Sequence, residues 1–196
     1  MPMKTLCAAF AFCVLGYCAY AQTNHPSVRV YEKVFKTYGF SDPDPIVPES
    51  KIYPYHRFDG YTNSATDKSW TVVELENEFI RVMILPEIGG KIWGAWEKST
   101  GKPFIYYNHV VKFRDVAMRG PWTSGGIEAN YGIIGHTPNC ATPVDYKTTT
   151  NPDGSVSCYI GTLDLLTERI VELQILPSIG RTTVGEVLKK TNSNLG

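Results

Sequence analysis

The chain has no surplus of either charge: 19 lysines and arginines stand against 19 aspartates and glutamates. No basic stripe stands out, so the electrostatic footprint of a nucleic-acid binder is missing. Its longest apolar stretch falls short of the ~20 residues a membrane-spanning helix needs. P-loop, Rossmann, nucleophile-elbow and zincin signatures are absent, and no motif calls for a cofactor. Cysteine is scarce, and three of the five (Cys7, Cys13 and Cys18) precede residue 22. The remaining two, Cys140 and Cys158, flank a predicted hairpin. Outside the cytoplasm they form either a disulfide or two buried thiols. With only His136 nearby they are weak ground for zinc, and no metal site is expected.

Residues 1–21 read as a secretory signal peptide. Lys4 is the sole charge before Arg29, Leu6 to Tyr20 is almost wholly apolar or small, and Ala19-Tyr20-Ala21 suits cleavage. An uncleaved anchor and a lipoprotein built on Cys18 are the alternatives, the latter disfavoured by the bulky Tyr17. The expected location is therefore secreted or periplasmic, with no stable membrane insertion after cleavage. What remains is long enough for one domain with a core.

Residues 22–68 are rich in proline (Pro43, Pro45, Pro48, Pro54) with little periodicity, and read as a leader strand or two and a wrapping arm. From Trp70 the texture is β. Trp70–Leu75, Phe79–Leu85, Lys91–Trp96 and Phe104–Tyr107 are short strands separated by turn residues, a pattern of sandwiches and barrels. Trp93 and Trp96, three apart in a strand, should face opposite sides. Asn108 to Pro143 is a long irregular stretch containing Gly120, Gly125, Gly126, Gly132 and Gly135, and loops of this length tend to be functional. Asn151-Pro152-Asp153-Gly154 predicts a hairpin between Val144–Thr149 and Ser155–Ile160. A last strand runs from Arg169 to Leu176, and residues 178–196 show no strand pattern, reading as a frayed helix or a tail. The domain proper spans residues 69–177, and the fold class is all-β.

Five motifs within Trp70–Thr167 carry a resemblance: Leu85-Pro86-Glu87-Ile88-Gly89-Gly90-Lys91-Ile92, Tyr106-Tyr107-Asn108-His109-Val110-Val111-Lys112, Arg119 through Asn130, Gly135-His136-Thr137-Pro138, and Pro143-Val144-Asp145-Tyr146. In this order they resemble the bacterial domain of unknown function numbered 5107. The resemblance implies a galactose-mutarotase-like antiparallel β-sandwich whose concave face holds a sugar. Such domains are usually longer, which makes the sandwich incomplete at its C-terminus and a truncated or frameshifted gene an explanation. It also implies carbohydrate, mono- or oligosaccharide, as the partner.

Opening or cleaving a sugar acetal needs one group to donate a proton and another to remove one. Glu128 and His136 are the candidates for that chemistry, Glu128 after two glycines that permit close approach, His136 on a loop with a side chain suited to neutral pH. The alternative for each is structural: a carboxylate binding loop amides, or a packed, hydrogen-bonded imidazole. Trp122 and Tyr131 offer stacking faces for a pyranose, and Asn130 and Arg119 offer polar contacts, Arg119 to an acidic ligand or to Glu128 itself. Asp145 binds sugar hydroxyls or caps the hairpin. Two departures weigh against a working aldose epimerase: Asn108-His109-Val110 stands where an Asn-His-Gly motif belongs, and no late strand supplies a base glutamate. Glycoside hydrolysis needs two carboxyls ~5 Å or ~6.5–9.5 Å apart. A carbohydrate-binding domain, alone or within a sugar-processing enzyme, an active mutarotase-like or glycosidase-like enzyme, and an inactive fragment are the readings the sequence leaves.

Overall fold

The computed structural model describes residues 25–39, 61–115, 121–129, 141–164, 169–175, 177 and 186–188. Ten strands lie among them and no α-helix: β1 (Ser27–Tyr38), β2 (Thr66–Glu76), β3 (Ile80–Leu85), β4 (Lys91–Glu97), β5 (Val110–Asp115), β6 (Pro121–Thr123), β7 (Asp145–Thr150), β8 (Val156–Asp164), β9 (Arg169–Ile175) and β10 (Glu186–Leu188). They form a six-stranded sheet in the order β4-β3-β2-β1-β5-β6 and a four-stranded sheet in the order β10-β9-β8-β7. No helix among the described residues is long and apolar enough to cross a membrane. The all-β sandwich expected from the sequence is what the chain forms.

β1 falls in the segment read as a leader strand or two and a wrapping arm, and it sits within the large sheet. It pairs with β2 antiparallel from Ser27 opposite Glu76 to Thr37 opposite Thr66, and with β5 in parallel. Its odd-numbered residues Tyr31, Phe35 and Thr37 turn to one face and the even-numbered Val30, Val34 and Lys36 to the other. Asn77 closes the β2–β3 hairpin. Its carbonyl Oδ1 accepts from the amides of Phe79 at 2.8 Å and Ile80 at 2.9 Å. Its amide Nδ2 reaches the Pro177 carbonyl at 3.3 Å and so ties this turn to the end of β9.

β4 and β6 occupy opposite edges of the large sheet. Flat, with strands ~4.8 Å apart, those edges would stand about 24 Å from each other. Instead Ile92, in β4, and Ile127, just past β6, exchange backbone hydrogen bonds of 3.1 and 2.9 Å. The sheet is therefore rolled until its edges meet, the tendency of twisted antiparallel strands carried nearly to closure. Phe35, Trp70, Met83, Leu85, Trp93, Val111 and Phe113 fill the inside of the roll. Phe35 of β1 and Trp93 of β4 meet edge to face with centroids 6.4 Å apart, although two strands separate them. Outside, Val73, Leu75, Val82, Ile84 and Ile92 pack on Val156, Cys158 and Ile160 of β8 and Ile175 of β9. With both faces of β2 covered, Val72 to Leu75 are buried in succession.

Four expectations change. Phe104–Tyr107 is not a strand: only Pro103 bridges to Trp96, and Phe104 and Tyr106 are exposed. The strand comes later, at β5, where Val111 and Phe113 alternate with exposed Lys112, so β5 and β6 both lie in the stretch read as irregular. Trp93 and Trp96 share the inner face, because the β3–β4 register shifts at Met83/Ile84 and one extra residue in β4 restores the parity between them. Residues 186–188, in the region without a strand pattern, pair antiparallel with β9. The proposed signal peptide lies outside the described residues.

Candidate functional site

Lys91 opens β4 opposite Leu85, a register that turns its side chain into the roll. It is only 3% exposed. A buried ammonium needs partners that replace its water. Its Nζ donates to the carbonyl of Thr123, lies 3.3 Å from the Glu128 carboxylate, and stands 5.3 Å from the centroid of the Trp122 ring. Thr123 and Trp122 belong to the far edge strand, so this cluster exists only where the roll closes.

The local sequence explains how Glu128 arrives there. Gly126 has φ +70°, and a Cβ on it would sit 2.3 Å from the Ile92 carbonyl oxygen. Only glycine permits so close a backbone contact, and it lets Ile127 bridge to Ile92 and set Glu128 beside Lys91. Asn108 steadies the segment: its amide Nδ2 donates to the Ser124 carbonyl and hydroxyl, both at 3.2 Å, while its backbone carbonyl accepts from Trp93 Nε1 at 3.0 Å. Gly126 thus brings the backbone of this segment against that of β4.

Of the residues singled out from the sequence, Glu128 and Trp122 come together, both partly buried. Glu128 pairs with Lys91. Asp145 is exposed at the start of β7, opposite Gly161 in the other sheet, and does not join them. Nor does it cap the hairpin, whose turn lies at the far end of β7. There Asp153 accepts from the Ser155 amide and hydroxyl, bonds that hold its carboxyl below the usual range. Arg119, Asn130, Tyr131 and His136 lie outside the described residues. Cys158 is a free buried thiol, pushed up to about 12 by burial, and Cys140 lies outside the described residues.

Sequence reading missed Lys91, although it follows Gly89-Gly90 inside the quoted motif: a lone lysine at a strand's start reads as a solvated end. It missed also a second charged cluster on the inner face. Glu74, 2% exposed, is held by the Arg29 guanidinium and by the Tyr31 hydroxyl at 2.9 Å, with Arg81 Nε at 3.9 Å. Burial first, then the charge of Glu74, hold the Tyr31 phenol above the ordinary tyrosine range. A glutamate between Val73 and Leu75 signals such a site only once both sheet faces are known to be covered.

A crystal structure of a TPR-domain containing protein from Parabacteroides distasonis is similar to this chain, with a TM-score of 0.68 at 23% identity. The match covers 81% of this chain and 28% of that one, and at that identity the likeness shows the fold alone. The sequence profile described as Domain of unknown function (DUF5107) matches residues 48–183, more than half of the chain and all five motifs. The chain belongs to the DUF5107 family.

Proposed function

We propose that this domain binds carbohydrate at the seam where the edges of the rolled sheet meet, with Trp122 as stacking ring and the Lys91–Glu128 pair as hydrogen-bonding groups. The observation that carries the reading is the ion pair itself. Buried charge pairs add little stability over well-packed apolar residues of similar size, so one placed where the two edges of the roll meet points to use rather than to support. Its chemistry suits a sugar: a carboxylate accepts from hydroxyls, an ammonium donates to them, and an indole face covers a pyranose. The resemblance to galactose-mutarotase-like sandwiches implies the same ligand class. Export, expected from residues 1–21, would place the face where glycans are met.

Monosaccharides and short glycosides should raise the melting temperature of the folded chain, since a ligand that binds only the native state stabilises it by about 2.7 kcal/mol at a hundredfold excess over Kd. Trp122→Ala should weaken binding roughly fivefold by removing about 1 kcal/mol of ring contact. Glu128→Gln separates a binder from an enzyme. In a binding module it changes affinity alone, whereas in an enzyme using Glu128 it reduces turnover far more than binding. Variants that fold and bind a confirmed sugar as the parent does would place the site elsewhere.

A further inference from the structure

At the end of the roll away from Lys91, cations and rings alternate along the inner face. The Arg81 guanidinium lies 4.7 Å from the Trp96 ring centroid, Trp96 lies 4.9 Å from Tyr107, and Lys33 Nζ stands 5.6 Å from Tyr107. His109 meets the edge of Tyr107 at 4.8 Å. None of these side chains is fully buried. Core packing accounts for one side of the two rings, which rest on Trp93 and its neighbours. It does not account for Lys33 at one end, and at the other the Glu74 carboxylate engages Arg81 only through Nε, at 3.9 Å.

The charges on this face do not cancel. Arg29, Arg81 and Lys98 lie against two carboxylates, Glu74 and Glu76, and Lys33 adds a fourth cation to the same face. Lys98 is engaged by Glu76 at 2.7 Å, and Glu74 is already held by Arg29 and Tyr31. Lys33 has no ion pair among the described residues, and rests over the rings of Phe35 and Tyr107. The remaining positive charge is local, because the whole chain has equal numbers of acidic and basic residues. A cation held over a ring keeps its N–H groups directed outward, ready for an anion.

We propose that the Arg81–Trp96–Tyr107–Lys33 row is a subsite for an acidic sugar, a uronic acid whose ring stacks on Trp96 or Tyr107 and whose carboxylate is taken by Arg81 or Lys33. Two tilted, half-buried rings give the ring face its contact, and a cation at either end meets a carboxylate attached to that same ring. A simple anion would leave the rings unused, and a neutral sugar would leave the cations unused. The assignment deepens the carbohydrate reading above and names the substrate class.

The test compares trigalacturonate with galactotriose on the full chain by calorimetry. The acidic trisaccharide should bind roughly tenfold more tightly, the scale of one charge-assisted hydrogen bond, and the preference should shrink at high salt. Lys33→Gln, at a solvent-accessible position, should bring the two ligands towards equal affinity while the melting temperature without ligand stays near the parent's; Arg81→Gln should do the same to the preference, with a lower melting temperature because Arg81 also lies 3.9 Å from the buried Glu74 carboxylate. Equal affinities in the parent, or a preference that survives both variants, overturn the subsite. Loss of all binding in Trp122→Ala with the row variants silent keeps the Lys91 site and rejects this one. An acid preference lost in the row variants but untouched by Trp122→Ala does the reverse, and absence of binding by either ligand rejects both.

Discussion

A lysine ammonium in an apolar interior is tolerable only because other groups replace its water. For Lys91 those groups are the Thr123 carbonyl and the Glu128 carboxylate, which is itself only 11% exposed. Lys91→Met alone takes the Lys91 ammonium from beside that buried carboxylate, and should destabilise the chain by about 3–5 kcal/mol. The double variant Lys91→Met with Glu128→Gln removes both charges, and should recover most of that loss. Urea unfolding of the parent, both singles and the double would show a coupling well above 1 kcal/mol. A coupling near zero would mean that the two charges do not depend on each other. Glu128 and Trp122 were legible because they lie in a long, glycine-rich stretch. Lys91 was not, since its burial depends on an edge strand some thirty residues later in the chain.

Among the elements, β4 shows how one residue changes a surface. Without the register shift Trp93 and Trp96 would face opposite sides, as alternation predicts. With it, Trp96 folds across Gly94 and meets Tyr107. A Cβ on Gly94 would lie 2.3 Å from the Trp96 ring and 2.9 Å from that of Tyr107. Gly94→Ala should therefore push Trp96 off its seat, costing about 1–3 kcal/mol by overpacking and altering the near-ultraviolet circular dichroism. An unchanged spectrum at parental stability would show that the ring is not confined there. Most hairpins could be read in advance, because Asn77 and Asn151–Gly154 are turn chemistry within a few residues of their strands. Phe104–Tyr107 misled because four apolar or aromatic residues satisfy strand propensity whether or not a neighbour is present to pair with them.

For the molecule as a whole, the decisive contact is between the sheets. Cys158 lies at 0% exposure among Val73, Leu75 and Ile84, so its thiol reports whether the four-stranded sheet has separated from the roll. A thiol reagent should react with the native chain only as fast as the sheets open, and immediately in urea. Fast labelling under native conditions would mean that the sheets do not stay packed. Burial also links this thiol to pH. Its native value of about 12 lies above the ~8.5 of an unfolded cysteine, so its contribution is complete below pH ~8.5 and lost as pH climbs towards 12. Tyr31 has the same sign, and adds its loss only above the ordinary tyrosine value of about 10. Urea midpoints should thus fall between about pH 8.5 and 10 in the parent, and fall less in Cys158→Ala. Equal slopes would mean that the thiol titrates alike in both states.

What the sequence determined by itself is local in cause: strands from two-residue alternation, turns from asparagine, glycine and proline, and an all-β class from their repetition. What only the tertiary structure decided is the rolling of the sheet, and everything that depends on it. Whether Lys91 meets Glu128, whether Glu74 is buried, and whether two tryptophans share a face follow from curvature and register summed over six strands. Those quantities have no signature in any single segment, because sheet closure joins β4 to the residues after β6, which no local pattern connects.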